Sequence, residues 1–442
     1  MKRLAFVLLI LASITACNSH RSATKSFITV RDGQFYQGDK TYRYIGANFW
    51  YGAILGSEGQ GGNRQRLCQE LDSLQALGIT NLRILVGAEG LTTAADHIQP
   101  TLQPQPGEYN DTLLQGLDYL MAEMGKRNMQ AVLYLHNAWQ WSGGFGIYLK
   151  WAGMGEPAPA SNWQAYTRHH SQFHNNAKAK ELALKHTQFI VSRTNSITGK
   201  PYAGDPTLMA WELCNEPRPF ASDSLTKAGY YDWIRQQAEA IKQIDPNHLV
   251  TTGSEGRMGS EGDLALYERV HALPAIDYLC IHIWPYNWGW LGRFVSTRSE
   301  ALRVNGQNAV SEHVEEACNN TADYIAEHMD IAKRLQKPLV LEEFGYPRDA
   351  FEIALGTPVT ARDRYYQFVF SQIGPTGLAG INFWAWGGNA KPVHDSWQPW
   401  DPYTGDPAQE EQGLYSVFQS DATTLSIIRE AVKKLRLSVP HP

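Results

Sequence analysis

Leu208-Met209-Ala210-Trp211-Glu212-Leu213-Cys214-Asn215-Glu216-Pro217-Arg218 decides how this chain is read. A short apolar run closes on a Pro, which cannot donate to a strand ladder and so ends the strand. Asn215 and Glu216 therefore fall at the C-terminal lip of a strand, where a parallel barrel gathers its chemistry. A second lip of this kind follows at Leu339-Val340-Leu341-Glu342-Glu343-Phe344-Gly345. Two strand-end carboxylates in a chain with 14 Trp and 21 Tyr point toward the cleavage of sugar bonds, because pyranose rings stack their C–H faces on aromatic rings.

Outward from these lips, eight short apolar runs recur, at residues 44–48, 81–86, 130–135, 208–213, 249–254, 278–283, 338–344 and 380–386. Between them the apolar residues return with helical period. One face is Leu67, Leu71 and Leu74, stopped by Gly78; another is Leu113, Leu117, Leu120 and Met124, entered through Asn110-Asp111. Leu182, Leu184 and Phe189 predict a third face, and Trp233, Ala238 and Ile241 a fourth. Eight strands alternating with helices predict a (β/α)8 TIM barrel. The alternative is a doubly wound open sheet, but the chain lacks the Gly-rich phosphate turn that usually follows its first strand. Before the first run, Phe27-Ile28-Thr29-Val30, the turn Asp32-Gly33, Gln34-Phe35-Tyr36 and a second turn at Gly38-Asp39 predict an N-terminal β-hairpin that caps the barrel base.

The first residues read as a signal. Lys2 and Arg3 precede an apolar stretch over residues 4–14 that is too short to span a bilayer. It ends in Ile14-Thr15-Ala16-Cys17, which resembles a bacterial lipoprotein signal, cut before the Cys and lipidated on its thiol. The other reading is an ordinary secretory signal with a chance Cys. Residues 1–16 are thus a leader, 17–26 a lipidated Cys17 with a polar tether, and 27–442 one catalytic domain. The expected location is an exported, membrane-anchored bacterial lipoprotein, at the outer membrane or periplasmic face. Net charge is −5, which gives no basic face for nucleic acid. Cys68, Cys214, Cys280 and Cys318 show no zinc-like spacing and read as free thiols; no metal or organic cofactor is implied. His169, His170, His174 and His313 read as surface residues.

Retaining glycosidases need two carboxyls about 5–5.5 Å apart, one as acid/base and one as nucleophile. Strands four and seven lie across a barrel from each other, so Glu216 and Glu343 can address one bond. The acid needs an apolar setting that keeps its proton; the nucleophile needs a nearby cation. Arg83, on strand two, is the candidate cation, its alternative being a surface ion pair.

These residues belong to a longer series: Gly46-Ala47-Asn48-Phe49-Trp50-Tyr51; Asn81-Leu82-Arg83; Leu135-His136-Asn137-Ala138-Trp139; Tyr148-Leu149-Lys150-Trp151; residues 211–218; Gly253-Ser254-Glu255-Gly256; His282-Ile283-Trp284-Pro285; residues 341–345; and Asn382-Phe383-Trp384-Ala385-Trp386. In this order, across almost the whole chain, they resemble glycoside hydrolase family 5, and most of all its β-mannanase subfamily. The resemblance implies a retaining hydrolase of β-1,4-mannosidic bonds in mannan or mannooligosaccharides. Glu216 is then its acid/base and Glu343, which precedes an aromatic-Gly pair, its nucleophile. Neighbouring strand residues point to opposite sides, so only one of Glu342 and Glu343 is expected to face the site. The resemblance assigns Asn215 to the sugar 2-hydroxyl, Arg83 and His282 to support of the nucleophile, and Trp384 to the platform under the sugar ring. It extends substrate contact to His136, Asn137, Trp139, Glu255, Trp284 and Trp386. Glu255 reads either as a substrate contact or as a partner of Arg257.

Two departures from the subfamily stand out. His282-Ile283-Trp284 replaces the usual His-x-Tyr, and Asn137-Ala138-Trp139 replaces Asn-Asn-Trp. Some similar members act on chain ends as exo-β-mannosidases, and the stretches 154–176 and 397–403 are candidates to wall off one end of a cleft. Trp141, Trp288 and Trp290 read as subsite walls, Trp163 and Trp233 as packing. A β-1,4-glucanase of the same fold and a non-catalytic glycan-binding lipoprotein remain the alternative functions.

Overall fold

Eight buried parallel strands form the centre of the molecule, in a computed structural model that describes residues 25–91, 96–295, 297–374 and 376–438. They are β1 (Tyr44–Asn48), β2 (Asn81–Leu85), β3 (Gln130–Asn137), β4 (Leu208–Asn215), β5 (Leu249–Thr251), β6 (Leu279–Ile283), β7 (Leu339–Phe344) and β8 (Gly380–Phe383). Every residue of all eight is buried, as expected of strands covered on one face by helices and filled by side chains on the other. The hydrogen-bonded order β5-β4-β3-β2-β1-β8-β7-β6 is that of a barrel opened at one seam. Across that seam the Asp277 N–H donates to the Val250 carbonyl at 2.8 Å and the Thr251 hydroxyl to the Tyr278 carbonyl at 3.0 Å. The (β/α)8 expectation is met.

Local sequence sets the helix ends. Asn63 caps helix Arg64–Leu77, and Gly78 closes it at φ 84°, a left-handed conformation that Gly adopts without Cβ strain. Asn110 accepts the N–H groups of Thr112 and Leu113 to start helix Asp111–Lys126. In helix Ala177–Val191 the buried face is Ala179, Ala183, His186, Thr187, Ile190 and Val191. The predicted Leu182-Leu184-Phe189 stripe is off that face, and Phe189 lies exposed against Tyr109, ring centroids 3.8 Å apart. The barrel-facing side of this helix carries small and polar side chains, so hydropathy misjudges its phase.

At the base, Ile28–Arg31 pairs antiparallel with Gln34–Gln37, which also pairs with Lys40–Thr41. Ile28 and Phe35 of this hairpin pack on Tyr44, Val132, Met209, Leu249, Tyr278 and Val340, residues at or near the N-terminal ends of barrel strands. The hairpin plugs the bottom, as predicted.

Three features shape the opposite end. β3 and β4 run two residues beyond the predicted apolar cores and stay paired, His136 with Cys214 and Asn137 with Asn215. β7 carries a bulge: Leu341 pairs with Ile281, but Glu343 rather than Glu342 pairs with His282. After β8, a parallel pair of Trp386–Gly388 and Val417–Phe418 brackets an excursion over residues 389–416 that covers one side of the barrel mouth. Among the described residues Cys68, Cys214, Cys280 and Cys318 are free thiols, and no helix is long and apolar enough to cross a membrane. Cys17 and the rest of the leader lie outside the described residues.

Candidate active site

A cavity of about 710 Å³ opens at the C-terminal ends of the strands. Its lining includes Asn215, Glu216 and Glu343 from strand ends, with Trp139, Trp284 and Trp384 from the loops that leave β3, β6 and β8. Beneath it, Arg83 is fully buried and uses all five of its N–H groups. Its guanidinium grips Glu212 with bonds of 2.7 and 2.5 Å, donates to Asn48 at 3.0 Å and to Asn215 at 2.8 Å, and pairs with Glu343. A saturated fork of this kind holds the Glu343 carboxylate in one place.

The β7 bulge places Glu343 there. In a regular strand, Glu343 would face outward and Glu342 inward; the extra residue turns both toward the barrel interior. The expectation that alternation separates the two is therefore corrected. Glu342 sits lower, with Tyr278 donating to it at 3.1 Å, while Glu343 reaches Arg83 and the cavity.

Glu216 follows the last residue of β4 in a left-handed conformation, φ 50°, with its N–H bonded to the Gly253 carbonyl at 2.9 Å. A non-Gly residue held there costs about 1–3 kcal/mol, and such strain gathers at functional sites. The turn presents the carboxyl to two donors, the Trp139 indole N–H at 2.5 Å and His282 Nδ1 at 2.9 Å. His282 Nδ1 also lies 3.3 Å from Glu343, so one imidazole touches both carboxylates. One oxygen of each carboxyl and a ring nitrogen of His282 lie within 4.8 Å of one another. That spacing suits a retaining pair and leaves no room for the water an inverting pair needs.

Burial pushes the Glu216 carboxyl above the ordinary range, against the pull of Arg218 and the Trp139 N–H. Burial pushes Glu343 up as well, with Arg83 opposing. Two carboxyls this close resist ionising together, so the pair retains a proton. The direct bond from Arg83 puts the charge on Glu343 and leaves the proton to Glu216. Burial and the Arg83 charge hold His282 well below its usual value, so it is neutral.

The remaining predicted contacts divide. Asn137 is buried behind Asn215, accepting its amide N–H at 3.2 Å and donating to Ser142 at 2.9 Å; it orients Asn215 and does not line the cavity. His136 lies behind β3 with Thr187 at 2.9 Å and Tyr148 at 3.2 Å, and Trp386 donates to Glu70 at 3.0 Å; neither faces the cavity. Strand alternation sends His136 into the layer between sheet and helices, and Trp386 belongs to the small outer strand pair. Glu255 lines the cavity, but its partner is Arg218, in a bidentate pair at 2.5 and 2.6 Å, while Arg257 pairs with Glu327. Trp141 and Trp288 line the cavity; Trp290 packs on Trp288 outside it. Trp163, expected to pack, is half exposed at the rim and stacks in a tier with Trp139 and Tyr166. His170 and His174 are buried rather than at the surface. Within 397–403, Trp397 and Tyr403 stack on each other beneath the surface; the wall comes from Glu410, Glu411, Leu414 and Tyr415 further along.

Sequence reasoning missed Glu212, Arg218 and Glu410. Arg218 lies inside the quoted strand-four motif, and its charge beside two carboxylates was a usable signal. Glu410 sits in a long loop, 3.4 Å from the Trp384 indole N–H, and carries no local signal. A second buried group, Glu89, His136 and His186, also brings ligand-type atoms within 4.8 Å. There Tyr148 and Tyr109 hydroxyls already bond His136 and His186, each at 3.2 Å, which accounts for the cluster without a metal.

Comparison with known proteins gives concordant results. A family model described as GH family 5 beta-mannosidase-like matches residues 25–439. Mannan endo-1,4-beta-mannosidase 1 of Arabidopsis thaliana is 29% identical over 395 residues, 85% of each chain. The solved glycoside hydrolase family 5 mannosidase of Rhizomucor miehei superposes with TM-score 0.81 at 31% identity, covering 93% of this chain and 98% of that one. The endo-beta-1,4-mannanase of Thermotoga petrophila shares the fold, with TM-score 0.62 at 24% identity over 90% of this chain and 77% of its own.

Proposed function

The chain belongs to glycoside hydrolase family 5, in its β-mannosidase-like group, and on that premise we propose that it hydrolyses β-1,4-mannosidic bonds by double displacement. The observation that carries the mechanism is the asymmetry of the carboxyl pair: Glu343 is bonded to a cation, and Glu216 only to neutral donors.

In the first step Glu343 attacks the anomeric carbon while Glu216 gives its proton to the departing glycosidic oxygen, leaving a mannosyl ester on Glu343. In the second, Glu216 takes a proton from water, and the resulting hydroxide displaces Glu343. Two inversions retain the β configuration. Asn215 has one amide N–H bonded to Asn137 and its oxygen bonded to Arg83, which leaves its other N–H for the sugar 2-hydroxyl. That hydroxyl is axial in mannose and equatorial in glucose. Trp384 supplies the platform, and the Trp139–Trp163–Tyr166 tier extends the aromatic surface outward.

One further observation favours action at chain ends. The Arg298 N–H donates to Glu411 at 2.8 Å, which ties the loop after β6 to the excursion after β8 along one wall of the cavity. A product time course on mannohexaose and cellohexaose tests both statements. Hydrolysis of mannohexaose well ahead of cellohexaose, with one short product accumulating from the start, is expected. Equal rates would remove the mannoside assignment, and early products of mixed length would remove the terminal one.

Export with a lipid on Cys17 is part of the same proposal. Its support is the leader sequence, in which Lys2 and Arg3 precede an apolar stretch that ends in Ile14-Thr15-Ala16-Cys17. The intact protein should sediment with membranes and Cys17→Ser should not; a soluble wild-type protein would contradict the anchor.

A further inference from the structure

The β7 bulge turns a second carboxyl into the barrel, and the double-displacement chemistry does not use it. Glu342 is almost fully buried, and one of its oxygens, Oε2, has no hydrogen-bond partner among the described residues. The same is true of His282 Nε2, and these two atoms lie 4.0 Å apart. Two orphaned polar atoms at that distance, deep in a protein, are joined by a small side-chain rotation or by one bridging water. The opposite nitrogen of the same ring, Nδ1, already meets Glu216 at 2.9 Å. Glu342, His282 and Glu216 thus form a line from the barrel core to the cavity.

We propose that Glu342 is a third carboxyl of this site, sharing a proton with Glu216 through the His282 imidazole and acting as a positioning residue for the acid/base. The inference rests on the reading of Glu216 as that acid/base. Glu342 gives its proton to Nε2 while Nδ1–H passes its own to Glu216. The ring begins and ends neutral, with only its tautomer exchanged, and one proton moves in total. In one limit Glu342 is the acid and His282 donates to an ionised Glu216; in the other Glu216 holds the proton and His282 donates to an ionised Glu342.

The surroundings of Glu342 fit this role. Burial, with Glu212 across the barrel on β4, pushes its carboxyl up to about 8. Arg83 on β2 and hydrogen bonds from Cys280 and Tyr278 oppose the shift. Tyr44 on β1 adds only a neutral hydroxyl, since burial raises it well above its ordinary range. A group poised there keeps a proton at neutral pH and can lend it. The Trp139 and His282 N–H groups favour the ionised form of Glu216, the wrong form for the first step, and a proton reserve at Glu342 adds to burial in opposing them.

The test is the alkaline limb of the kcat/KM profile on mannotetraose, whose sugar leaving group needs the proton from Glu216. In Glu342→Gln the amide N–H donates permanently to Nε2, which fixes the Nδ1–H tautomer, and the charge that would raise Glu216 is gone. Both effects ease the ionisation of Glu216, so the limb should move to lower pH by about one unit, a tenfold change in proton affinity. The rate on the acid side should stay within about threefold of wild type. A limb that stays in place, with activity reduced evenly at all pH, would mean that Glu342 is structural and overturn the proposal. If Glu342→Gln does not fold, nitrogen NMR of His282 in the unmodified protein decides. The Nε2–H tautomer should grow in across the limb, and a single tautomer throughout would refute proton sharing. Loss of the parent reading would look different, since Glu216→Gln would then keep full activity.

Discussion

At the residue scale, Arg83 is the organiser of the site. One buried guanidinium serves Asn48, Glu212, Asn215 and Glu343, so a single side chain fixes the proposed nucleophile, the group assigned to the 2-hydroxyl and the acidic floor. Arg83→Met removes the charge with little change in bulk and leaves two buried carboxylates unpaired. Breaking a buried ion pair this way costs about 3–5 kcal/mol. The variant should lose most of its thermal stability margin, and what remains folded should be inactive at neutral pH because Glu343 then takes up a proton. Melting temperature and kcat measured together check this; a variant as stable as wild type would show that the five bonds do not carry the weight given to them. Arg83, Glu216 and Glu343 were legible in the sequence, since Arg83 is a charge in the middle of an apolar run and each carboxyl lies at or next to the end of one. His136 and Trp386 were misplaced because a motif gives position along the chain, not the side of a strand. The neighbouring carboxyl Glu342 was judged by ideal alternation, and a bulge leaves no mark in composition.

At the scale of elements, the strands were readable and their edges were not. Runs buried on both faces announce themselves by continuous apolarity, which is why all eight barrel strands appear where expected. The helix over Ala177–Val191 hides its phase, because Ala, His and Thr make up most of its core face and Ile190 and Val191 join it only in the last turn. The excursion over residues 389–416 was least legible, since it is held by polar bonds rather than by a periodic face. Asp406 is its pin: buried, it accepts the N–H groups of Gly413 at 2.8 Å, Tyr415 at 2.9 Å and Ser416 at 3.2 Å, and the Ser416 hydroxyl. Asp406→Ala leaves those donors unsatisfied, each at a cost of about 1–3 kcal/mol. Glu410, Glu411 and Tyr415 should then lose their fixed places in the wall. Hydrolysis of mannohexaose should slow, and its early products should become mixed in length. An unchanged product pattern would show that the pinned excursion does not shape the cavity.

At the scale of the whole molecule, the two ends of the barrel have separate duties. The hairpin and an apolar plug close the base. The opposite end collects groups from β1, β2, β4, β6 and β7 into one hydrogen-bonded assembly under a mouth walled by aromatic residues. In the mechanism proposed above, this assembly breaks a mannosidic bond through an ester on Glu343, and not on Glu342 one residue away. In a 2-deoxy-2-fluoro-mannosyl fluoride the C2 fluorine destabilises the oxocarbenium-like transition states of both steps, and the reactive anomeric fluoride keeps ester formation faster than its hydrolysis. Mass spectrometry of the digested, inactivated protein measures where the sugar sits. One fluoromannosyl group per chain is expected, on the peptide spanning residues 338–348 and fragmenting to Glu343. A label on Glu342 or on any other residue, or inactivation with no covalent label, would contradict it.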